Sequence, residues 1–417
     1  MSLKNLIFSI LALIPVASLS SLNGADSSSS VRVAETESMY PSYNTSPQNP
    51  DSKGMEANAQ ELASTITLGW NVGNTLEAIG GETNWGNPMV SEELIKLVKS
   101  RGFDAIRLPV SWNQYADQET AKIDDAWMDR VKEVVEICIE NDMRTIVNIH
   151  WDGGWLENNI NPESKVANNQ KQRAFWEQIA THLRDFDQRL IFASANEPHV
   201  ETAEQMEVLM SYHQTFVDTV RSTGGKNAYR VLVVQGPVTD IAKTYELMRS
   251  WPKDTVEDRL MAEVHYYTPY NFAGLIEEAD WGKPFYYWGK EFHSETDAKH
   301  NSKFGEEEEA LRLLGLMKEQ FADRGIPVIL GEFGAIHRLH LEGEDLELHL
   351  ASVAHYLDFV TENALENGLL PFYWDCGNTG DNGFGLFDRD SNSVAHESLL
   401  KALEVGSRAG NHYWKVD

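Results

Sequence analysis

Eight short runs of apolar and β-branched residues recur from residue 67 onward, and helix-like segments separate them. The runs are TLGWNVG (67–73), AIRLPVSW (105–112), TIVNIHW (145–151), LIFASANEP (190–198), RVLVVQG (230–236), MAEVHYY (261–267), PVILGEFGA (327–335) and LPFYWDCG (370–377). Between them, residues 91–101 carry Leu94, Leu97 and Val98 on one face, and residues 124–142 carry Trp127, Val131, Val134 and Cys138. Residues 203–222 and 307–324 repeat the pattern with Met206, Leu209, His213, Phe216 and Val220, and with Ala310, Leu314, Met317 and Phe321. Each set steps by three or four, the helical spacing. Alternation of this kind predicts an α/β chain, a (β/α)8 TIM barrel in a single domain over 58–409. A doubly wound open sheet would place a glycine-rich phosphate turn after its first strand, and here that strand runs into GNTLEA.

In such a barrel the chemistry sits at the C-terminal ends of the strands. Arg107 lies on the second strand, His150 and Trp151 end the third, and Asn196 and Glu197 end the fourth. His265 and Tyr267 end the sixth, Glu332 sits on the seventh, and Trp374 and Asp375 end the eighth. One rim thus gathers two glutamates, an arginine, two histidines, an asparagine, a tyrosine and a tryptophan. Two facing carboxylates are what glycoside hydrolysis requires, one protonated to donate to the leaving oxygen and one ionised to attack the anomeric carbon. An arginine beside the second favours its ionised form. A divalent metal is the rival use of His150, His265, Asp375 and the glutamates. The first strand reads WNVGN, without the H-x-H expected of a metal-dependent hydrolase barrel. The connection 268–306 is long, and long loops are functional or disordered; the aromatic-rich WGKPFYYWGKEF (281–292) argues against disorder.

Charge narrows the partners. Asp and Glu total 64 against 35 Lys and Arg, a net charge of −29, which repels phosphate backbones and anionic membranes. Nucleic acid is therefore not an expected partner, and a neutral polymer suits the surface. The two cysteines, Cys138 and Cys376, form no disulfide framework and no zinc spacing. Residues 1–23 are predicted to be a secretory signal peptide. An early lysine precedes an apolar stretch from Leu6 to Val16, shorter than the ~20 residues of a spanning helix. Residues 24–57, rich in Ser, Pro and Asn, are predicted to be a disordered linker, and 410–417 a C-terminal tail. A secreted, periplasmic or cell-surface monomer, free of the membrane after signal cleavage, is the expectation.

Over about residues 60–405 the chain resembles glycoside hydrolase family 5, the retaining β-glycanases. The residues that carry the likeness are GWNVGNTLEA with TNWGNP (69–78, 83–88), GFDAIRLPVSW (102–112), VNIHWD (147–152), SANEPH (194–199), VHYYTPYNF (264–272), LGEFGA (330–335) and YWDCG with GFGLFDR (373–377, 383–389). The resemblance implies Glu197 as acid/base and Glu332 as nucleophile. It implies Asn196 on a sugar hydroxyl, Arg107 and Tyr267 on the nucleophile, His150 and His265 lining the site, and Trp374 as the sugar platform. Asn71, Trp151 and Trp155 are candidates for distal subsites. No metal or organic cofactor is implied. The first-strand motifs resemble the cellulase-type members, so the expected activity is endo-β-1,4-glucan hydrolysis by double displacement. A β-mannanase, a xyloglucanase or a broad-specificity glycanase is the nearest alternative. A non-catalytic carbohydrate-binding barrel is the alternative of another class.

Overall fold

All eight predicted runs become strands of one closed parallel barrel, in a computed structural model that describes residues 38–415. The strands are β1 (Gly69–Val72), β2 (Ala105–Leu108), β3 (Arg144–Asn148), β4 (Leu190–Ala193), β5 (Leu232–Asp240), β6 (Leu260–Tyr266), β7 (Val328–Phe333) and β8 (Leu369–Asp375). They pair in chain order, and β8 closes on β1. The helices are α1 (Ala59–Ala63), α2 (Glu92–Ser100), α3 (Asp125–Glu140), α4 (Lys165–His182), α5 (Ala203–Thr223), α6 (Ile241–Leu247), α7 (Tyr270–Ala273), α8 (Glu307–Gln320), α9 (Gly343–Glu366) and α10 (Glu397–Ala409). The longer ones start where side chains can satisfy free N–H groups. Thr202 and Gln205 form a capping box on α5, and Ser91 caps α2.

Side chains alternate across each strand, so odd and even residues enter different cores. Ala105, Ile146, Ile191, Ala193, Val233, Met261, Ile329, Leu370 and Phe372 point into the barrel, and Leu62 and Ala63 on α1, with Ile66 just after it, close its floor. Ile106, Leu108, Phe192, Val264, Leu330 and Phe333 belong to the layer between strands and helices. Gly69 shares the inward face, and a glycine is needed there because a Cβ would lie 2.2 Å from the Phe372 ring. Cys138 is buried on α3, as its place in the pattern predicts, and both cysteines are free.

The structure corrects the domain limits on both sides. The predicted signal peptide and the part of the linker up to residue 37 lie outside the described residues. Residues 38–57, predicted to be flexible, are a strap laid across α4 and the end of α5. The Glu177 carboxylate on α4 accepts the main-chain N–H groups of Tyr43 and Asn44 and the Ser42 hydroxyl, and pairs with Arg173. Gln48 donates to Thr223, Asp51 donates to Gly225, and buried Met55 ends the strap. Backbone donors matched to helix side chains hold this segment, and hydropathy carries no trace of such bonds. At the other end, the described part of the predicted tail, 410–415, also packs. Trp414 donates to Gly368 and lies against the barrel floor, and His412 meets the Ile66 carbonyl.

Removing the strap's acceptor tests this directly. Glu177→Ala strands two amides and Arg173, and is expected to lower stability by about 1–3 kcal/mol. Urea unfolding reads the loss, and faster proteolysis within 38–57 accompanies it. An unchanged midpoint would mean the strap does not depend on Glu177.

Candidate active site

The inward-facing parity of the strands builds the site from below. Arg107 shares its face with Ala105, and Glu263 and His265 share theirs with Met261. Glu332 reaches the interior by a different route. Val264 pairs with Leu330 but His265 pairs with Glu332, so β7 carries one extra residue at Gly331. Strict alternation would send Glu332 toward the helices; the bulge turns it inward. Gly331 is required there, because a Cβ would sit 2.1 Å from Glu263 Oε1.

Arg107 is fully buried and joins four groups. Its Nη1 donates to Asn71 Oδ1 and Glu332 Oε1, both at 3.0 Å, its Nη2 donates to Asn196 Oδ1 at 2.7 Å, and its Nε lies 2.9 Å from Glu263 Oε1. Tyr267 donates its hydroxyl to Glu332 Oε2 at 3.0 Å. Both oxygens of Glu332 are therefore fixed. His265 Nδ1 lies 2.8 Å from Glu197 Oε1, and its Nε2 lies 3.3 Å from Glu263 Oε1. The Glu197 side chain is 36% exposed and that of Glu332 only 7%. One carboxylate faces the open cleft and the other sits beneath it.

The electrostatics follow from these contacts. Burial by itself disfavours the His265 imidazolium, but the carboxylates of Glu332, Glu197 and Glu263 outweigh it and raise the pKa to about 9. Burial pushes the Glu332 carboxyl upward, and the positive charges of His265 and Arg107 oppose it. Burial also acts on Glu263, where Arg107 and His265 prevail and hold the carboxyl below its usual value. His150 goes the other way: burial, with Arg107 and His265 nearby, keeps it neutral. Asn148 Nδ2 sits 3.2 Å from His150 Nδ1, so Nδ1 accepts and Nε2 carries the proton. The His150 ring lies parallel to Trp374 at 5.9 Å between centroids.

A histidine whose folded pKa lies above the unfolded value stabilises the fold fully below the unfolded pKa, and that contribution is lost as pH rises through the folded one. For His265 the window runs from 6.5 to about 9. Urea unfolding across it is expected to show wild-type stability falling with pH and a shallower fall in His265→Asn. Equal slopes would contradict the ion-paired histidine.

The structure brings together Arg107, His150, Asn196, Glu197, His265, Tyr267, Glu332 and Trp374. It does not place Asn71 in a distal subsite. Asn71 is completely buried, accepts from Arg107 and donates to the Gly331 carbonyl, because its odd position on β1 faces the barrel interior. Trp155 is likewise engaged in packing. Its indole N–H donates to Asp152, Phe175 meets its ring edge-on, and the Lys171 ammonium lies 5.0 Å from it. Trp151 is 37% exposed on the rim and open to a ligand. In the long connection after β6, Phe285, Tyr287 and Trp288 are buried while Trp281 is exposed, so most of its aromatics anchor the loop. Asp375 is also structural, pairing with Arg389 and accepting from Trp70.

Glu263 lies within β6, two residues before His265 and short of the strand end. Its parity with His265 was the available signal. Glu197, His265 and Glu332 each offer an atom within 4.8 Å of the others, close enough to ligate a cation. A His265 protonated on both nitrogens offers no lone pair, and the Glu332 oxygens already hold Arg107 and Tyr267. The donor set fits proton transfer and nucleophilic attack better than metal binding.

Comparison with known proteins follows the same lines. The family model for cellulase (glycosyl hydrolase family 5) matches residues 71–380. A xyloglucan-specific endo-β-1,4-glucanase of Bacteroides ovatus is 36% identical over 375 residues, covering 86% of this chain and 72% of that protein. Endoglucanase A of Paenibacillus barcinonensis is 33% identical, covering 84% of this chain and 90% of that one. The solved structure of a Bacteroides ovatus family 5 xyloglucanase with an XXXG heptasaccharide superposes with a TM-score of 0.81 at 35% identity, covering 88% of this chain and 80% of that one.

Proposed function

The chain belongs to glycosyl hydrolase family 5, and from that premise we propose that it is an exported endo-β-1,4-glucanase that cleaves by retaining double displacement and prefers xyloglucan. Membership makes it a glycoside hydrolase of the endo-1,4-β-glucanase kind. The observation that carries the mechanism is the carboxylate pair, whose nearest oxygens lie within 4.8 Å. That spacing suits the ~5–5.5 Å carboxyl separation of retaining enzymes better than the ~6.5–9.5 Å of inverting ones.

Glu332 attacks the anomeric carbon as the glycosidic bond breaks, and Glu197 gives its proton to the leaving oxygen. A glycosyl ester on Glu332 results. Glu197, now ionised, takes a proton from water, the water oxygen attacks the same carbon, and Glu332 is released. Two inversions leave the β configuration. Arg107 holds the Asn196 oxygen, so the amide nitrogen, which also faces the Glu157 carboxyl, is the end that donates to a sugar hydroxyl. The Trp374 ring provides an apolar face for the sugar above the carboxylates, and Gly73 admits it, since a Cβ there would come within 2.8 Å of that ring.

Xyloglucan is favoured by the Bacteroides ovatus relative and its heptasaccharide-bound structure. Export rests on the predicted signal peptide, and a monomer on the single barrel. Reducing-sugar release from xyloglucan, barley glucan, carboxymethylcellulose, glucomannan and xylan tests the substrate. The highest kcat/KM is expected on xyloglucan, with weaker cleavage of unbranched β-1,4-glucan. Strong mannan cleavage without glucan cleavage would overturn this reading.

A further inference from the structure

Glu157 lies in the loop after β3, is 2% exposed, and has no part in the mechanism above. Its Oε1 accepts the main-chain N–H of Glu197 at 2.7 Å. Its own carbonyl accepts the N–H of His199 at 3.1 Å. From the other side, Val238 donates to the Pro198 carbonyl at 2.7 Å, and Gln235 Oε1 accepts the N–H of Ala195 at 2.9 Å. The turn that bears Glu197 is thus gripped at successive residues between the β3 loop and β5. At Glu197 itself, the grip comes from the side chain of Glu157.

We propose that Glu157 is the positioning residue for the acid/base: it fixes the main chain of Glu197 so that the carboxyl meets the glycosidic oxygen. The inference rests on the reading of Glu197 as the acid. Burial pushes the Glu157 carboxyl up to about 8, and the charges of Glu197 and Glu332 act in the same direction against the Glu197 N–H and the Asn196 amide. At neutral pH it is therefore an uncharged acid. It accepts a hydrogen bond through its carbonyl oxygen without adding a third negative charge beside the pair. A glutamine keeps both properties; an alanine keeps neither. Misplacing a catalytic group by about 1 Å costs on the order of 100-fold in rate, so the clamp acts on catalysis through geometry alone.

The test compares two aryl β-cellobiosides with the same sugar and different leaving groups. 2,4-Dinitrophenolate departs without protonation; an unactivated phenol requires the acid. Because kcat/KM reports steps up to formation of the glycosyl ester, Glu157→Ala is expected to lose about 10- to 100-fold on the unactivated phenol and to stay close to wild type on the dinitrophenyl substrate. Glu157→Gln should track wild type on both. Glu157→Asp, which withdraws the oxygen while leaving little void, should repeat the selective loss even if the alanine variant folds poorly. Equal losses on both substrates, no loss, or a glutamine variant as impaired as alanine would overturn the proposal. Glu197→Ala run alongside separates the two readings. If it lacks the leaving-group dependence, Glu197 is not the acid and both readings fall. If it shows the dependence while Glu157→Ala and Glu157→Asp do not, only the positioning role falls.

Discussion

Glu332→Ala is expected to lower hydrolysis of every substrate by about 10^4- to 10^6-fold, the scale for losing a covalent nucleophile. The reason is local. Glu332 is the buried carboxylate whose two oxygens are held apart by Arg107 and Tyr267, so one face of the group is presented to the cleft. Glu263 cannot replace it, since it is fully buried behind Arg107 and bound to Gln235. The variant should still fold, because Arg107 retains Glu263 as its counter-charge. Far-ultraviolet circular dichroism and oligosaccharide binding by calorimetry check this, and Glu332→Gln, nearly isosteric, gives the cleaner binding measurement. Azide added to the alanine variant should enter the vacated space and yield an α-glycosyl azide. Residual activity within about tenfold of wild type, far above that scale, would mean that Glu332 is not the nucleophile.

Glu197→Ala carries a different signature. General acid–base catalysis contributes about 10^2- to 10^4-fold, and that loss is expected on the polymer, where the leaving sugar hydroxyl needs a proton. Azide attacking the accumulated glycosyl ester should give a β-glycosyl azide, the opposite anomer from that of Glu332→Ala. The more open placement of Glu197 beside His265 suits a group that exchanges protons with leaving oxygen and water in turn. If both variants gave the same azide anomer, the two roles would not be divided between these carboxylates.

The barrel was legible because periodicity reports which side of a strand is buried, and each of the eight runs carries that pattern over enough residues to be read. The strand ends then pointed to Arg107, Glu197, His265 and Glu332. The inward aim of Glu332 depends on the extra residue at Gly331; strict alternation would turn this carboxylate toward the helices. Asn71 illustrates the reverse. A polar residue near a strand end suggests a groove, yet its parity with Gly69 sends it inside to support Arg107. Glu263 and Glu157 are harder to read because the groups that set their roles, the Arg107 guanidinium and the Glu197 main-chain N–H, lie far along the chain. The strap at 38–57 was hidden for a related reason: main-chain hydrogen bonds to Glu177 hold it, and they leave no mark in composition.

The central claim is that Glu332 forms a glycosyl ester while Glu197 handles the proton. Incubation with a 2-deoxy-2-fluoro-β-cellobiosyl fluoride tests it most directly, because the fluorine slows both steps and the good leaving group restores the first. Peptide mapping by mass spectrometry of the inactivated protein should find one fluorocellobiosyl group, on the side chain of Glu332. A label on Glu197 or any other residue, or turnover without a covalent adduct and with inverted product, would contradict the account.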